Sequence, residues 1–140
     1  MQTFKQFLTE NRADYKYRLV LSHIVTNNMG DKVHDGSVHF WGLNIKELPD
    51  LSDIIVTEDF DCSSNDLTNL KGAPKRVLGH FNCKDNPIRS LTGAPEFIGG
   101  EFFCGRFTDA DYRQYVTACE TLKTLDPETT DLFGGMIDTL

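Results

Sequence analysis

The stretch Phe60-Asp61-Cys62-Ser63-Ser64-Asn65-Asp66-Leu67-Thr68-Asn69-Leu70-Lys71-Gly72-Ala73-Pro74 is repeated 21 residues later as Phe81-Asn82-Cys83-Lys84-Asp85-Asn86-Pro87-Ile88-Arg89-Ser90-Leu91-Thr92-Gly93-Ala94-Pro95. A third copy begins with Phe102-Phe103-Cys104 and then breaks. Between copies Val77 matches Ile98 and Gly79 matches Gly100, so the shared pattern is F-x-C-x-x-N-x-(L/I)-x-x-L-x-G-A-P-x-x-(V/I)-x-G. A degenerate earlier copy sits at a 22-residue offset, with Val38, Phe40, Ile45, Leu48 and Leu51 at apolar positions and Leu43 in place of the asparagine. Self-similarity at this period is the signature of a solenoid, in which each coil buries its apolar face against the next.

Each row predicts a short strand, near 59–62, 80–83 and 101–104, with Phe and Cys alternating toward the core. Stacked rows predict a narrow parallel sheet, closed from behind by the Leu, Ile and Val positions. Asn65 and Asn86 are placed to turn inward and satisfy backbone groups at the bend after each strand. Gly-Ala-Pro ends each leucine segment, because Pro fixes φ and Gly permits a tight turn. Cys62, Cys83 and Cys104 are spaced as repeat positions, not in the close pairs of a zinc knuckle, and read as small core hydrophobes.

This pattern resembles the leucine-rich repeat, with Phe60 and Cys62 at the paired strand positions, Asn65 at the asparagine position and Leu67 after it. The version with Cys in the strand and N-x-L-x-x-L-x-G-A-P is similar to repeats in uncharacterised proteins of tailed bacteriophages. The resemblance covers about half of the chain. It implies an α/β fold: a short leucine-rich-repeat-like solenoid over 37–107, a mixed N-terminal cap over 1–36 and a helical C-terminal cap over 108–140. It implies a binding protein more than an enzyme, since such repeats carry many unrelated binding roles. A virion component and an early protein that binds a host factor both fit, with the virion or the host cytoplasm as the expected location.

The flanks are read as caps, because end coils would otherwise expose core. Thr108-Asp109-Ala110-Asp111 reads as a helix start, with Tyr112, Tyr115, Val116, Cys119 and Leu122 on one face. Asp126-Pro127-Glu128 opens a further helix with Leu132, Phe133, Met136, Ile137 and Leu140 on its apolar side. In the N-terminal third, residues 3–10 read as a short helix and Lys16 to Val25 as a strand, with a helix through that region the alternative. Asn27-Asn28-Met29-Gly30 reads as a turn. The opening Met1 to Glu10 resembles the start of many phage proteins, and Leu8-Thr9-Glu10 fits the short motif cut by prohead proteases. An ordinary terminal helix is the competing reading.

Alternation also names the outward strand positions. Ser37, Asp59, His80 and Glu101 form one row, His39, Asp61, Asn82 and Phe103 the next, and Trp41, Ser63, Lys84 and Gly105 a third. The candidate protein-binding residues are therefore His39, Trp41, Asp59, Asp61, His80, Asn82, Lys84, Glu101 and Phe103. A metal or acid–base site built from His39, Asp59, Asp61 and His80 is the alternative reading. No nucleotide-loop, nucleophile-elbow or zinc-protease motif is present in the sequence, and no cofactor is expected.

The net charge is −7. It is unevenly spread: 5 basic against 4 acidic residues over 1–36, 7 against 10 over 37–107, and 2 against 7 over 108–140. No basic patch suggests direct nucleic-acid binding, and no apolar run approaches the ~20 residues of a membrane helix. Self-association through the sheet edge after the last coil is a further expectation.

Overall fold

In a computed structural model, residues 12–123 are described, apart from the side chain of Ala13. The expected helices at 3–10 and 126–140, and the protease motif at Leu8-Thr9-Glu10, lie outside the described residues.

The order is helix α1 (Arg12–Ser22), strands β1 (Ile24–Thr26), β2 (Lys32–His34), β3 (Val38–His39), β4 (Ile54–Val56), β5 (Phe60–Asp61), β6 (Arg76–Val77), β7 (Phe81–Asn82), β8 (Phe97–Ile98) and β9 (Phe102–Phe103), then helix α2 (Asp109–Lys123). The chain is a β-solenoid of about three turns closed by a C-terminal helix. Each coil contributes one strand to each of two sheets. Sheet A runs β1-β2-β4-β6-β8 and sheet B runs β3-β5-β7-β9. All pairings are parallel except the β1–β2 hairpin.

Sheet A corrects the expectation of a single sheet. The Val77 and Ile98 positions do more than close the coil: they are strands whose backbones bond from coil to coil. Leu78 N–H donates to Val56 C=O and Gly99 N–H to Val77 C=O, both at 2.9 Å. The N-terminal third is also corrected, since the helical alternative holds over Arg12–Ser22. The buried side chains there are Val20 and, in part, Tyr17, spaced as neighbours on a helix face, whereas the alternating Leu19 and Leu21 stay exposed. The turn at Asn27 is as expected: its side-chain oxygen accepts from the N–H groups of Met29 and Asp31 at 2.9 Å.

The core is one cluster running from Val20 through the coils to Tyr115. Its axis is an aromatic stack, Phe40, Phe60, Phe81, Phe102 and Tyr112, with successive ring centroids 6.0, 5.3, 5.8 and 5.1 Å apart. In-register pairing at a 21-residue period puts Phe60, Phe81 and Phe102 on top of one another, whereas in the first coil Val38 pairs with Phe60 and Phe40 joins the stack from two residues further on. Tyr112 supplies the last ring from α2, and its hydroxyl donates to Pro95 C=O.

The asparagines act as expected and reach further. Asn65, buried, accepts from Leu43 N–H at 2.8 Å and donates to Phe40 C=O at 2.8 Å and Cys62 C=O at 3.0 Å. Asn86 accepts from Leu67 N–H and donates to Cys62 and Cys83 C=O. Each asparagine therefore serves the coil before its own. The first coil has no predecessor of this kind, and it carries Leu43 at that position.

The two ends are finished differently. At the C-terminal end Thr108 and Asp111 form a reciprocal cap: Thr108 Oγ1 accepts from Asp111 N–H and Asp111 Oδ2 from Thr108 N–H. The edge of the last coil is then met by side chains of α2. Asp109 Oδ1 accepts from Phe102 N–H at 2.9 Å, and Arg113 donates to Ile98 C=O and Gly100 C=O at 2.8 Å each. Three backbone groups of the last coil are thus bonded by side chains of α2. At the N-terminal end, six large apolar side chains stay exposed: Tyr15, Leu19, Leu21, Val25, Met29 and Trp41.

Candidate functional site

The outer face of sheet B carries the predicted binding residues, and the register confirms the row His39, Asp61, Asn82, Phe103. The structure divides these residues by what their polar atoms already do. In the row from Ser37 to Glu101, each side chain holds the backbone of the next coil. Ser37 Oγ accepts from Asp59 N–H at 3.1 Å, Asp59 Oδ1 from His80 N–H at 2.7 Å, and His80 Nδ1 from Glu101 N–H at 2.9 Å. Asp59 and His80 are exposed, and one polar atom of each holds the backbone of the next coil. Glu101 is exposed at the end of this ladder.

The ladder also explains the repeat's last glycine. A Cβ on Gly79 would overlap Asp59 Oδ1 and lie 2.7 Å from the Glu58 carbonyl carbon. A Cβ on Gly100 would lie 2.5 Å from His80 Nδ1 and 2.8 Å from Gly79 O. The backbone must pass this close to receive the side chain of the coil below, so only glycine fits.

In the second row, Asp61 accepts from Ser63 N–H at 2.9 Å and Asn82 from Lys84 N–H at 3.0 Å, which again spends them on local turns. Both are half-buried. Phe103 is half-buried between His80, whose ring centroid lies 5.8 Å away, and Lys84, whose Nζ lies 5.2 Å from the ring centroid. His39 is exposed on β3. Trp41 is 57% exposed while its neighbour Phe40 is fully buried. Alternation points the indole outward.

Among the described residues no group of three or more His, Cys, Asp and Glu side chains is arranged to hold a metal ion.

Sequence reasoning treated the cysteines alike, and the structure separates them. Cys62 and Cys83 are fully buried, and Cys104 is half-buried at the open end of the ladder. Burial pushes the Cys62 thiol up. Cys83 is raised by the neighbouring Cys104 sulfur and by burial, and its thiol donates to Phe103 C=O at 3.4 Å. Cys104 is lowered to about 6 by the neighbouring Cys83 thiol and by the backbone N–H groups of Phe107, Arg106 and Gly105, against the opposing effect of burial. The signal in the sequence was the broken repeat: Phe107 replaces the asparagine three residues after Cys104, and the chain turns there toward α2.

A second feature was missed. Sheet A has an outward row of its own, Val25, Val33, Ile55, Arg76 and Phe97, in register across its five strands. The uninterrupted apolar run Ile54-Ile55-Val56 was its signal, since strands that alternate are wet on one face and strands that do not are covered on both.

No family profile matches this chain, and no curated protein or solved structure shows significant similarity to it. Among the described residues no helix is long and apolar enough to cross a membrane.

Proposed function

We propose that this protein is a non-enzymatic, protein-binding module that recognises its partner through the outer face of sheet B, with Trp41 as the anchor. The observation that carries the reading is the 57% exposure of Trp41. Trp41 stands in the turn that follows β3, beside the sheet, and Trp is among the residues most enriched at binding hot spots. His39 flanks it on β3, and the Lys84–Phe103 pair with Glu101 lies at the other end of the same face. Across three strand spacings this spans about 14 Å, enough for a short segment of a partner. The repeat's likeness to those of tailed-phage proteins makes a virion protein or a host factor the partner class.

The test compares wild type with Trp41→Ala and with a Lys84→Glu variant. Purified candidate partners from phage particles and from the host are titrated against each by calorimetry. Trp41→Ala should weaken binding at least tenfold, with an unchanged far-UV circular dichroism spectrum and melting temperature. Binding that survives both substitutions undiminished would remove this face from the reading. Stable recovery of the protein within particles selects the virion role.

A further inference from the structure

Cys62, Cys83 and Cys104 each follow directly on a strand of sheet B, and the register of the strands continues through them. Cys62 N–H donates to Asn82 C=O and Cys83 N–H to Phe103 C=O, both at 2.8 Å. Core packing accounts for the first two cysteines, which are fully buried. It does not account for the third. Cys104 is half-buried where the repeat breaks, and the exposed Gly105 and Arg106 follow it. A Cβ added at Gly105 would meet nothing within 4 Å, so the chain beside Cys104 borders open space. We propose that Cys104 is a site of oxidation by small hydroperoxides and that Cys83 is its resolving thiol, the two forming a reversible disulfide.

The backbone brings the pair within range. Neighbouring strands lie about 4.8 Å apart, inside the roughly 4.4–6.8 Å between Cα atoms that a disulfide spans. The Cys83 thiol already reaches over the next coil, because it donates at 3.4 Å to Phe103 C=O, the carbonyl of the peptide bond that leads into Cys104. The chain at Cys104 has left β9 and is turning toward α2, so it can adjust as the sulfurs join. Both Cα–Cβ bonds point to the same face, so the bond forms under strain, and a strained disulfide is readily reduced. Cys62 faces Cys83 in the same way, but both are sealed from solvent, which leaves Cys104 as the entry point.

The chemistry needs only the peroxide as oxidant. The Cys104 thiolate attacks one peroxide oxygen and the O–O bond breaks. Cys104 becomes a sulfenic acid, and the other oxygen leaves as hydroxide or alkoxide and is protonated by water. The Cys83 sulfur then attacks the Cys104 sulfur. The S–O bond breaks, and the hydroxyl departs as water with the proton of the Cys83 thiol. Two electrons pass from the two thiols to the peroxide. The backbone N–H groups of Gly105, Arg106 and Phe107 and the neighbouring Cys83 thiol favour the thiolate that the first step uses. Burial of Cys83 is no obstacle, since the oxidant has only to reach Cys104.

The test uses the full chain, reduced, mixed from unlabelled and 15N-labelled protein and treated at pH 7 with one equivalent of hydrogen peroxide. Remaining thiols are blocked with N-ethylmaleimide before digestion with trypsin. Mass spectrometry should find peptide 77–84 joined to peptide 90–106 within one copy, with dithiothreitol restoring both thiols. Cys119, the other half-buried thiol, is the internal reference and should stay reduced. Cys83→Ser should lose the link and leave on Cys104 a sulfenic acid that dimedone traps, with an unchanged circular dichroism spectrum. The mapping of the wild type stands whether or not that variant folds. A Cys104 that stays reduced, or that goes on to a sulfinic acid while Cys83 remains a thiol, would overturn the proposal. So would oxidation of Cys119 ahead of Cys104, a link between other cysteines, or a link formed only between copies.

Discussion

Replacing Asn65 by leucine should cost this fold more than any other single exchange of similar volume. The side chain is buried, and it serves groups of the preceding coil: Leu43 N–H and Phe40 C=O, each at 2.8 Å. Leucine leaves both without their partner in a dry site, at about 1–3 kcal/mol each, while its apolar burial returns about 1–2 kcal/mol. The expected net loss is about 2–4 kcal/mol, a large part of the ~5–15 kcal/mol that holds a domain together. Asn86→Leu is the internal control. Asn86 is only half-buried, so water can reach part of what it leaves behind, and its loss should be about half as large. Urea unfolding followed by far-UV circular dichroism measures both, with the slope m checked for constancy. A loss below about 0.5 kcal/mol for Asn65→Leu, or a larger loss for Asn86→Leu, would refute the idea that each asparagine ties its coil to the one before.

Three further outcomes are expected. Gly100→Ala forces a Cβ against His80 Nδ1 and Gly79 O, and overpacking of this kind costs about 1–3 kcal/mol; a thermal melt should shift down by several degrees, and an unchanged melt would mean the ladder yields. Arg113→Ala frees the carbonyls of Ile98 and Gly100, with a loss of about 1 kcal/mol for this partly exposed side chain and a rise in apparent mass by light scattering as the uncapped edge pairs between molecules. Cys104 should be the first cysteine alkylated, its rate following a titration centred near 6, because the neighbouring Cys83 thiol and three backbone N–H groups favour its thiolate. Since the thiolate is favoured in the fold, its contribution to stability is full above about 9 and is lost as pH falls through about 6; equal alkylation of all cysteines at pH 7 in folded protein would contradict this.

Much of the fold was legible from residues 60–95. A 21-residue repeat demands in-register stacking, because rows with the same residues must bury the same residues. Phe60 over Phe81 and Cys62 over Cys83 follow from this, as do the inward asparagines and the helical C-terminal cap. The outward direction of His39, Trp41 and Lys84 came from the same alternation. What was not legible is the partner of each polar group. Asp59 and His80 look free in sequence, yet each holds a backbone N–H about 21 residues away. Lys16 to Val25 offered both a strand and a helix pattern, and the helix won because it places Val20 and Tyr17 together on the open end of the core.

The sequence by itself determined that this chain coils, how often, and which side chains point inward, because periodicity is a local property that every row states again. Only the tertiary structure decided that each coil makes two strands and not one. It alone showed that α2 seals one end with Asp109, Tyr112 and Arg113, and that one outer face is spent on holding coils together at Asp59 and His80 while still offering Trp41. These outcomes depend on which backbone groups lie within 3 Å of a side chain in the neighbouring coil, a distance no single row contains.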